Sequence, residues 1–262
     1  MTGVSETPKH LFRAYTVALY LFLYLPVFVL IIFSFNNATH TAQFEGLTTK
    51  WYEAAWADEA AWRAAKMSLK LSVSTVLTSV TFGTLAAVGL RYSSAKLQRV
   101  VWPLLLLPIV LPEIAMAVAF LKLYGALHIE LGFLTVWLSH VAFSVSYVVV
   151  VVQARLSGMD HSLEEAAADL GAPPVTTFFT ITLPQLLPAV ASAAMLVFAL
   201  SIDDYVITSF VAGVGNTTVP VYVYGLFRKK ITPEIHAIST LLLSVTTPLI
   251  IGSWVLENRD SK

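Results

Sequence analysis

Hydrophobic residues along this chain fall into about six long runs, separated by shorter polar stretches. Each run is roughly 20 residues long, the length of α-helix that crosses the hydrocarbon core of a bilayer. We therefore predict an all-α, polytopic membrane protein, with residues 1–262 forming a single transmembrane domain. The predicted spans are about 12–35, 67–90, 100–124, 132–153, 184–207 and 235–256.

Basic residues mark one side of this six-span arrangement, and the positive-inside rule makes that side cytoplasmic. Both termini are then expected in the cytoplasm. A second basic cluster, residues 228–230, falls on the opposite side, in a longer loop where the rule is weaker. The residues that set the orientation are Lys9, Arg13, Arg91, Lys96, Arg99, Arg155, Arg259 and Lys262.

Composition narrows the class of protein, since 57% of the residues are hydrophobic and 12% are charged. Both values are typical of a protein surrounded by membrane lipid, and the formal net charge of zero gives no indication of a nucleic-acid partner. The absence of cysteine excludes disulfides and thiolate chemistry. The sequence has no P-loop, H-E-x-x-H helix or nucleophile elbow, so we expect a protein that is not an enzyme and holds no cofactor or metal.

A polar stretch between the fourth and fifth runs carries strong helix signals. Ser162 and Glu165 have the spacing of a capping box, in which each side chain binds the other residue's backbone N–H. Gly171 suits the left-handed residue that ends a helix, and Pro173 and Pro174 prevent its continuation. This stretch is therefore predicted to be a short helix with a built-in turn.

The same stretch carries a complete long-range pattern, and on it the chain resembles the permease subunits of binding-protein-dependent ABC importers. The resemblance implies a type I permease architecture whose cytoplasmic loop, about residues 154–183, couples to a separate ATPase subunit. A plainer alternative is that Glu165 only caps its own helix. The residues of this EAA pattern are Glu165, Ala166, Ala167, Gly171, Ile181, Leu183 and Pro184.

Shorter matches resemble the spermidine/putrescine importers within that family. They are residues 34–36, residues 48–52 and the Asp203-Asp204 pair ahead of residues 209–210. The resemblance implies a bacterial inner-membrane assembly that moves putrescine or spermidine. Its other parts would be a second, non-identical permease, two ATPase subunits that hold ATP–Mg, and an extracytoplasmic solute-binding protein.

Acidic residues near the outer ends of two spans suggest where a cation would pass. Glu113 follows prolines 103, 108 and 112, which bend or interrupt the third span, and lies about 20 Å along a straight helix from residue 100. Asp203 and Asp204, followed by Tyr205, lie about 28 Å along the fifth span from Pro184. We predict an anionic vestibule for an organic cation. The alternatives are ordinary interfacial residues, or one acid that caps a broken helix.

Residues 49–66 interleave aromatic and charged side chains, which is typical of a helix at the membrane–water interface. Glu59 and Arg63 are spaced for an i,i+4 ion pair on that helix. A surface for an extracytoplasmic partner is the alternative interpretation of this stretch.

Two rival functions stay open at this point. One is an ABC permease for another small solute, such as ferric iron, thiamine or an opine-type compound. The other is a self-sufficient secondary transporter in which the outer acids bind protons or sodium. Inverted repeats would favour the secondary transporter, but the sequence shows no persuasive internal repeat, and the EAA pattern has no role in that class.

Overall fold

Helices make up nearly all regular structure in the computed structural model, which describes residues 9–38, 43–229 and 233–259. One isolated β-bridge joins Asn36 to Leu47. The helices are α1 (Lys9–Phe33), α2 (Lys50–Ala57), α3 (Glu59–Arg91), α4 (Ala95–Val110), α5 (Glu113–Ala126), α6 (Phe133–Ser157), α7 (Ser162–Asp169), α8 (Pro174–Thr177), a π-helical turn (Phe178–Thr182), α9 (Leu183–Ile202), α10 (Val206–Val211), α11 (Val219–Lys229) and α12 (Pro233–Arg259).

Five helical segments of the described chain are long and apolar enough to cross a membrane, and a bent pair of helices makes a sixth if the two together form one span. The all-α fold with about six spans is therefore confirmed. The five segments are Phe12–Phe33, Glu59–Arg91, Phe133–Ser157, Pro174–Ile202 and Pro233–Val255, and the bent pair is Ala95–Val110 with Glu113–Ala126.

The third span differs most from the prediction of one helix over 100–124. Helices α4 and α5 meet at an angle of 108°. The break falls at Leu111 and Pro112, both of which have extended backbone. Prolines predict such a break but not its angle. Glu113 is therefore the first residue of a second helix, and its depth in the bilayer stays a prediction.

The second span also starts earlier than predicted. Helix α3 begins at Glu59, so the second half of the predicted interfacial helix over 49–66 is the first part of a span. The first half is the separate helix α2, which ends where Asp58 adopts extended backbone. Glu59 and Arg63 do form the predicted i,i+4 pair at 3.5 Å, with both side chains exposed.

The fifth span begins at Pro174, ten residues before the predicted start at Pro184. It is helical through α8 and the π-helical turn into α9, in which Pro184 is the second residue. A π-helical turn changes the backbone hydrogen-bonding register. Proline has no N–H to donate and therefore fits where that register returns to the α-helical one.

The described residues divide into two compact units, of which the first comprises residues 1–58 and 225–241. Asn36 organises this unit, because its side chain accepts the N–H groups of Ala38 and Glu45 at 3.2 and 2.9 Å. Trp51 Nε1 donates to the Asn36 carbonyl at 2.7 Å. The stretches 34–36 and 48–52, singled out in the sequence, thus pack against each other.

The second unit comprises residues 59–224 and 242–262. Within it α3, α6 and α9 pack against one another, and α10 packs against α5 and α6. Gly83 allows the close approach of α3 and α6, since a Cβ atom at this position would lie 2.6 Å from the Val148 Cβ. The main core cluster contains Ala87, Leu90, Val148, Val149, Val152, Leu156, Leu186, Ala193 and Val197.

Candidate functional site

Asp204 lies at the centre of a buried hydrogen-bond network where α9 ends. His140, fully buried on α6, places Nε2 3.1 Å from Asp204 Oδ2. The other ring nitrogen of His140 lies 2.9 Å from Ser201 Oγ. This network joins the middle of α6 to the break between α9 and α10.

The carboxylate of Asp204 also caps helix α10. Its Oδ2 accepts from the backbone N–H of Thr208 at 2.8 Å and from the Thr208 hydroxyl at 2.6 Å, while Oδ1 accepts from the Ile207 N–H at 3.3 Å. Free amides at the start of a helix need such acceptors. For Asp204 the geometry therefore matches the alternative in which one acid caps a broken helix.

The other predicted pathway residues surround this network. Glu113, the first residue of α5, is exposed, and its carboxyl group lies within hydrogen-bonding reach of Asp204. Asp203 is also exposed, at the C-terminal end of α9. The ring of Tyr205 packs on Tyr224 with centroids 4.4 Å apart. The bend of the third span and the end of α9 thus bring Glu113 and Asp204 together from separate helices.

A small cavity opens beside Glu113, with a volume of about 220 Å³. The side chains that line it are apolar or aromatic apart from the Glu113 carboxylate and the phenol of Tyr147. Such a combination suits an ammonium group carried on an alkyl chain, because the carboxylate pairs with the charge and the rings contact the methylene groups. The lining residues are Pro108, Ile109, Leu111, Glu113, Met116, Phe143, Tyr147, Leu200 and Ile207.

The α7 loop carries the EAA pattern and begins differently from the predicted capping box. Ser162 is the first helical residue rather than the cap. The cap is supplied by Asp160, whose Oδ1 accepts the Ser162 N–H at 2.9 Å. Hydrogen bonds from Ser162 hold the pKa of Asp160 below its usual value. The predicted capping box between Ser162 and Glu165 is wrong because Asp160 reaches the same free amide first.

The end of α7 follows the prediction. Gly171 has φ +79°, the left-handed conformation expected of a residue that stops a helix. The Ala172 N–H donates to the Ala167 carbonyl at 3.0 Å and closes the turn. Glu165 and Ala166 are exposed whereas Ala167 is buried, so the first two residues of the pattern are presented outward. Ile181 and Leu183 are half-buried and Pro184 is exposed.

Sequence reasoning passed over Glu164, whose carboxylate binds side chains from other parts of the chain. Its Oε1 accepts from Thr182 Oγ1 at 2.7 Å, and its Oε2 accepts from the Tyr92 hydroxyl at 2.9 Å. Arg91 Nη2 lies 3.7 Å from Oε2. Burial alone raises the pKa of Glu164, but hydrogen bonds from Thr182 and Tyr92 and the charge of Arg91 outweigh it, so its pKa is below the usual value.

A groove of about 810 Å³ runs between the end of α3 and the α7 loop. Most of its wall is apolar, and its polar residues include Tyr92, Glu164 and Thr182, which hold the loop. The lining residues are Leu85, Val88, Gly89, Tyr92, His161, Glu164, Glu165, Ala168, Ala172, Pro174, Val175, Thr177, Phe178, Phe179 and Thr182.

Comparison with known proteins agrees with this architecture. The chain is 38% identical over 248 residues to the putrescine transport system permease protein PotI of Escherichia coli K12, covering 92% of this chain and 88% of the relative. It is 35% identical to the spermidine/putrescine transport system permease protein PotC of the same strain, covering 95% of this chain and 94% of the relative.

A solved structure shares the fold at low sequence identity. It is a crystal structure of a bacterial alginate ABC transporter in complex with an alginate pentasaccharide-bound periplasmic protein. The TM-score is 0.72 at 16% identity, covering 97% of this chain and 94% of that chain. Residues 79–257 match the family described as binding-protein-dependent transport system inner membrane component. The resemblance inferred from the loop is thereby confirmed, and the chain belongs to this family of inner-membrane transport components.

Proposed function

We propose that this chain is a permease subunit of an ATP-driven importer and that the solute it moves is a polyamine, putrescine or spermidine. The observation that carries the proposal is its relation to two polyamine-system permeases, at 38% and 35% identity over more than nine-tenths of the chain. If the chain transported an unrelated solute, it would have the same architecture as these two permeases but a different substrate.

The acidic site gives the proposal a chemical basis. Polyamines carry two or more ammonium groups separated by short alkyl segments. Glu113 and Asp203 present exposed carboxylates, and the cavity beside Glu113 offers an apolar wall for the methylene groups. Of the acids in this region, Asp204 is engaged in capping α10, so Glu113 and Asp203 are the ones that we assign to the substrate.

The partners and orientation follow from the same assignment. The side that carries the α7 loop is cytoplasmic, both termini lie on that side, and the loop docks on an ATPase subunit that binds ATP–Mg. A second, non-identical permease completes the pathway, and a solute-binding protein delivers the polyamine from outside. The outward presentation of Glu165 and Ala166 supports docking through this face of α7.

Uptake by a reconstituted transporter tests the proposal. The chain is assembled in proteoliposomes with a partner permease, an ATPase and a solute-binding protein of a polyamine system, and labelled putrescine and spermidine are followed with and without ATP on the loop side. We expect polyamine accumulation that requires ATP. Accumulation driven by an ion gradient without ATP would assign the chain to secondary transport. ATP-driven uptake of another solute in place of polyamine would overturn the substrate assignment.

A further inference from the structure

Two neighbouring glutamates on α7 have different surroundings. Glu165, the first residue of the EAA pattern, is exposed. The side chain of Glu164 is only 11% exposed and points back to the protein. One residue along a helix turns the side chain by about 100°, so adjacent residues face different directions. The two carboxylates therefore differ in how far the rest of the chain engages them.

Glu164 joins three separate segments of the chain. It belongs to α7, its Oε2 accepts from Tyr92 directly after α3, and its Oε1 accepts from Thr182 in the π-helical turn ahead of α9. Thr182 is buried, and the side chain of Arg91 beside Glu164 is 8% exposed. We call the four residues Arg91, Tyr92, Glu164 and Thr182 the Glu164 clamp.

The clamp connects the loop to the centre of the helix bundle. Helix α3 packs against both α6 and α9, so a movement applied to its end is transmitted to the other two. Interiors packed in this way move as rigid bodies rather than deforming continuously. Without the Glu164 contacts, α7 would keep its chain connections to α6 and α9 and lose the hydrogen bond that ties it to Tyr92 at the end of α3.

We propose that Glu164 is a positioning residue for transport, which fixes α7 to the ends of α3 and α9 so that displacement of α7 by the ATPase moves both spans. This inference rests on the proposed function as an ATP-driven permease. Glu165 and Glu164 then have different roles. Glu165 contacts the ATPase, and Glu164 transmits the displacement of α7 to the spans α3 and α9.

Arg91 is engaged in the clamp through one of its two terminal nitrogens. Its Nη2 lies 2.7 Å from a ring nitrogen of His161, whereas its Nη1 is buried and has no hydrogen-bond partner within the described residues. A buried donor without an acceptor is unfavourable.

The experiment compares solute uptake with ATP hydrolysis in the complete transporter. For Glu164→Gln we expect the ATPase subunits to remain bound and ATP hydrolysis to continue. Uptake per ATP hydrolysed should fall about tenfold or more, which is the change that corresponds to the free energy of one charge-assisted hydrogen bond. Tyr92→Phe and Thr182→Val should lower the same ratio. In the double variant of Tyr92→Phe and Glu164→Gln, the loss should not exceed that of Glu164→Gln alone, because the two residues share one contact.

Two variants serve as controls. Thr180→Val changes a threonine in the same π-helical turn whose hydroxyl bonds its own helix at Thr176, so uptake per ATP should stay at the wild-type value. Glu165→Lys should weaken ATPase association, which Glu164→Gln should not. Three results would each overturn the inference. The first is wild-type uptake per ATP hydrolysed in Glu164→Gln, and the second is loss of ATPase binding by that variant. The third is a loss of uptake per ATP in the double variant that equals the product of the two single-variant losses. Failure of the wild-type chain to bind an ATPase would instead refute the proposed function.

Discussion

Replacing Asp204 by asparagine tests whether this acid is structural, and Asp203→Asn is the matched control one residue away. The Asp204 carboxylate accepts three hydrogen bonds from Ile207 and Thr208 and lies 3.1 Å from His140 Nε2. Asp203 is exposed, and its backbone N–H donates to Ala199 at 3.3 Å, a bond that asparagine retains. The two substitutions remove the same charge from very different surroundings.

The expected cost follows from the geometry. An asparagine amide that keeps its oxygen at the Oδ1 position would point an NH₂ group at the Thr208 N–H and hydroxyl, where donor would face donor. Losing one or two buried bonds and leaving a donor unsatisfied costs about 2–4 kcal/mol. For Asp203→Asn, an exposed change, we expect less than about 0.5 kcal/mol.

Thermal unfolding of the purified chain in detergent measures the difference. The midpoint should fall by about 4–16 °C for Asp204→Asn and stay near wild type for Asp203→Asn. Uptake separates the roles further, since Asp203→Glu should support polyamine transport better than Asp203→Asn. Equal midpoints for the two asparagine variants would refute the capping role of Asp204. Wild-type uptake by both Asp203 variants would refute the electrostatic role of Asp203.

Two further predictions concern helix packing and pH. Gly83→Ala would place a Cβ atom 2.7 Å from the Val148 Cγ1 and should destabilise the chain by about 1–3 kcal/mol in the same unfolding assay. Gly89→Ala on the same helix is the control. A Cβ atom there would have no neighbour within 4 Å, so this variant should be neutral or slightly more stable. The pKa of Glu164 is lowered in the folded chain, so its ionised carboxylate stabilises the folded state. This contribution to the free energy of unfolding is fully present above the ordinary carboxyl pKa of about 4.3 and is lost only as the pH falls through the lower folded value. His161 Nδ1 also lies 3.6 Å from Glu164 Oε2, so the pH dependence is measured in a His161→Gln background. There the ratio of coupling in Glu164→Gln to that in the parent chain should stay constant between about pH 6 and pH 8, and a ratio that changes across this range would contradict the assignment.

Local patterns predicted much of the fold. The hydrophobic runs gave the spans to within several residues for α1, α6 and α12, because span length is set by bilayer thickness. The left-handed conformation of Gly171 was also predictable, because glycine tolerates a positive φ and the prolines at 173 and 174 cannot continue the helix. Prediction fails where two residues that could each cap the same helix lie close together. Ser162 was predicted to cap α7, but Asp160, two residues earlier, accepts the N–H of Ser162 instead.

Long-range contacts could not be predicted from one sequence. Tyr92 and Glu164 are 72 residues apart, and no spacing rule relates them. The bend between α4 and α5 is 108°, α5 packs against α10, and the prolines alone do not predict that angle. The one available signal for the Asp204 network was a histidine in an otherwise apolar span, since a buried imidazole needs polar partners.

Pairs of adjacent acids occur at both sites, and in each pair one member is held by the protein while the other is exposed. Asp204 and Glu164 each bind donors from other parts of the chain, whereas Asp203 and Glu165 are exposed. An ammonium group or an ATPase that took a held carboxylate would have to break those bonds, which costs free energy that an exposed neighbour does not require. Substrate and ATPase are therefore expected to use the exposed members, and neutralising a held member should impair transport by displacing its neighbour's helix rather than by removing a ligand.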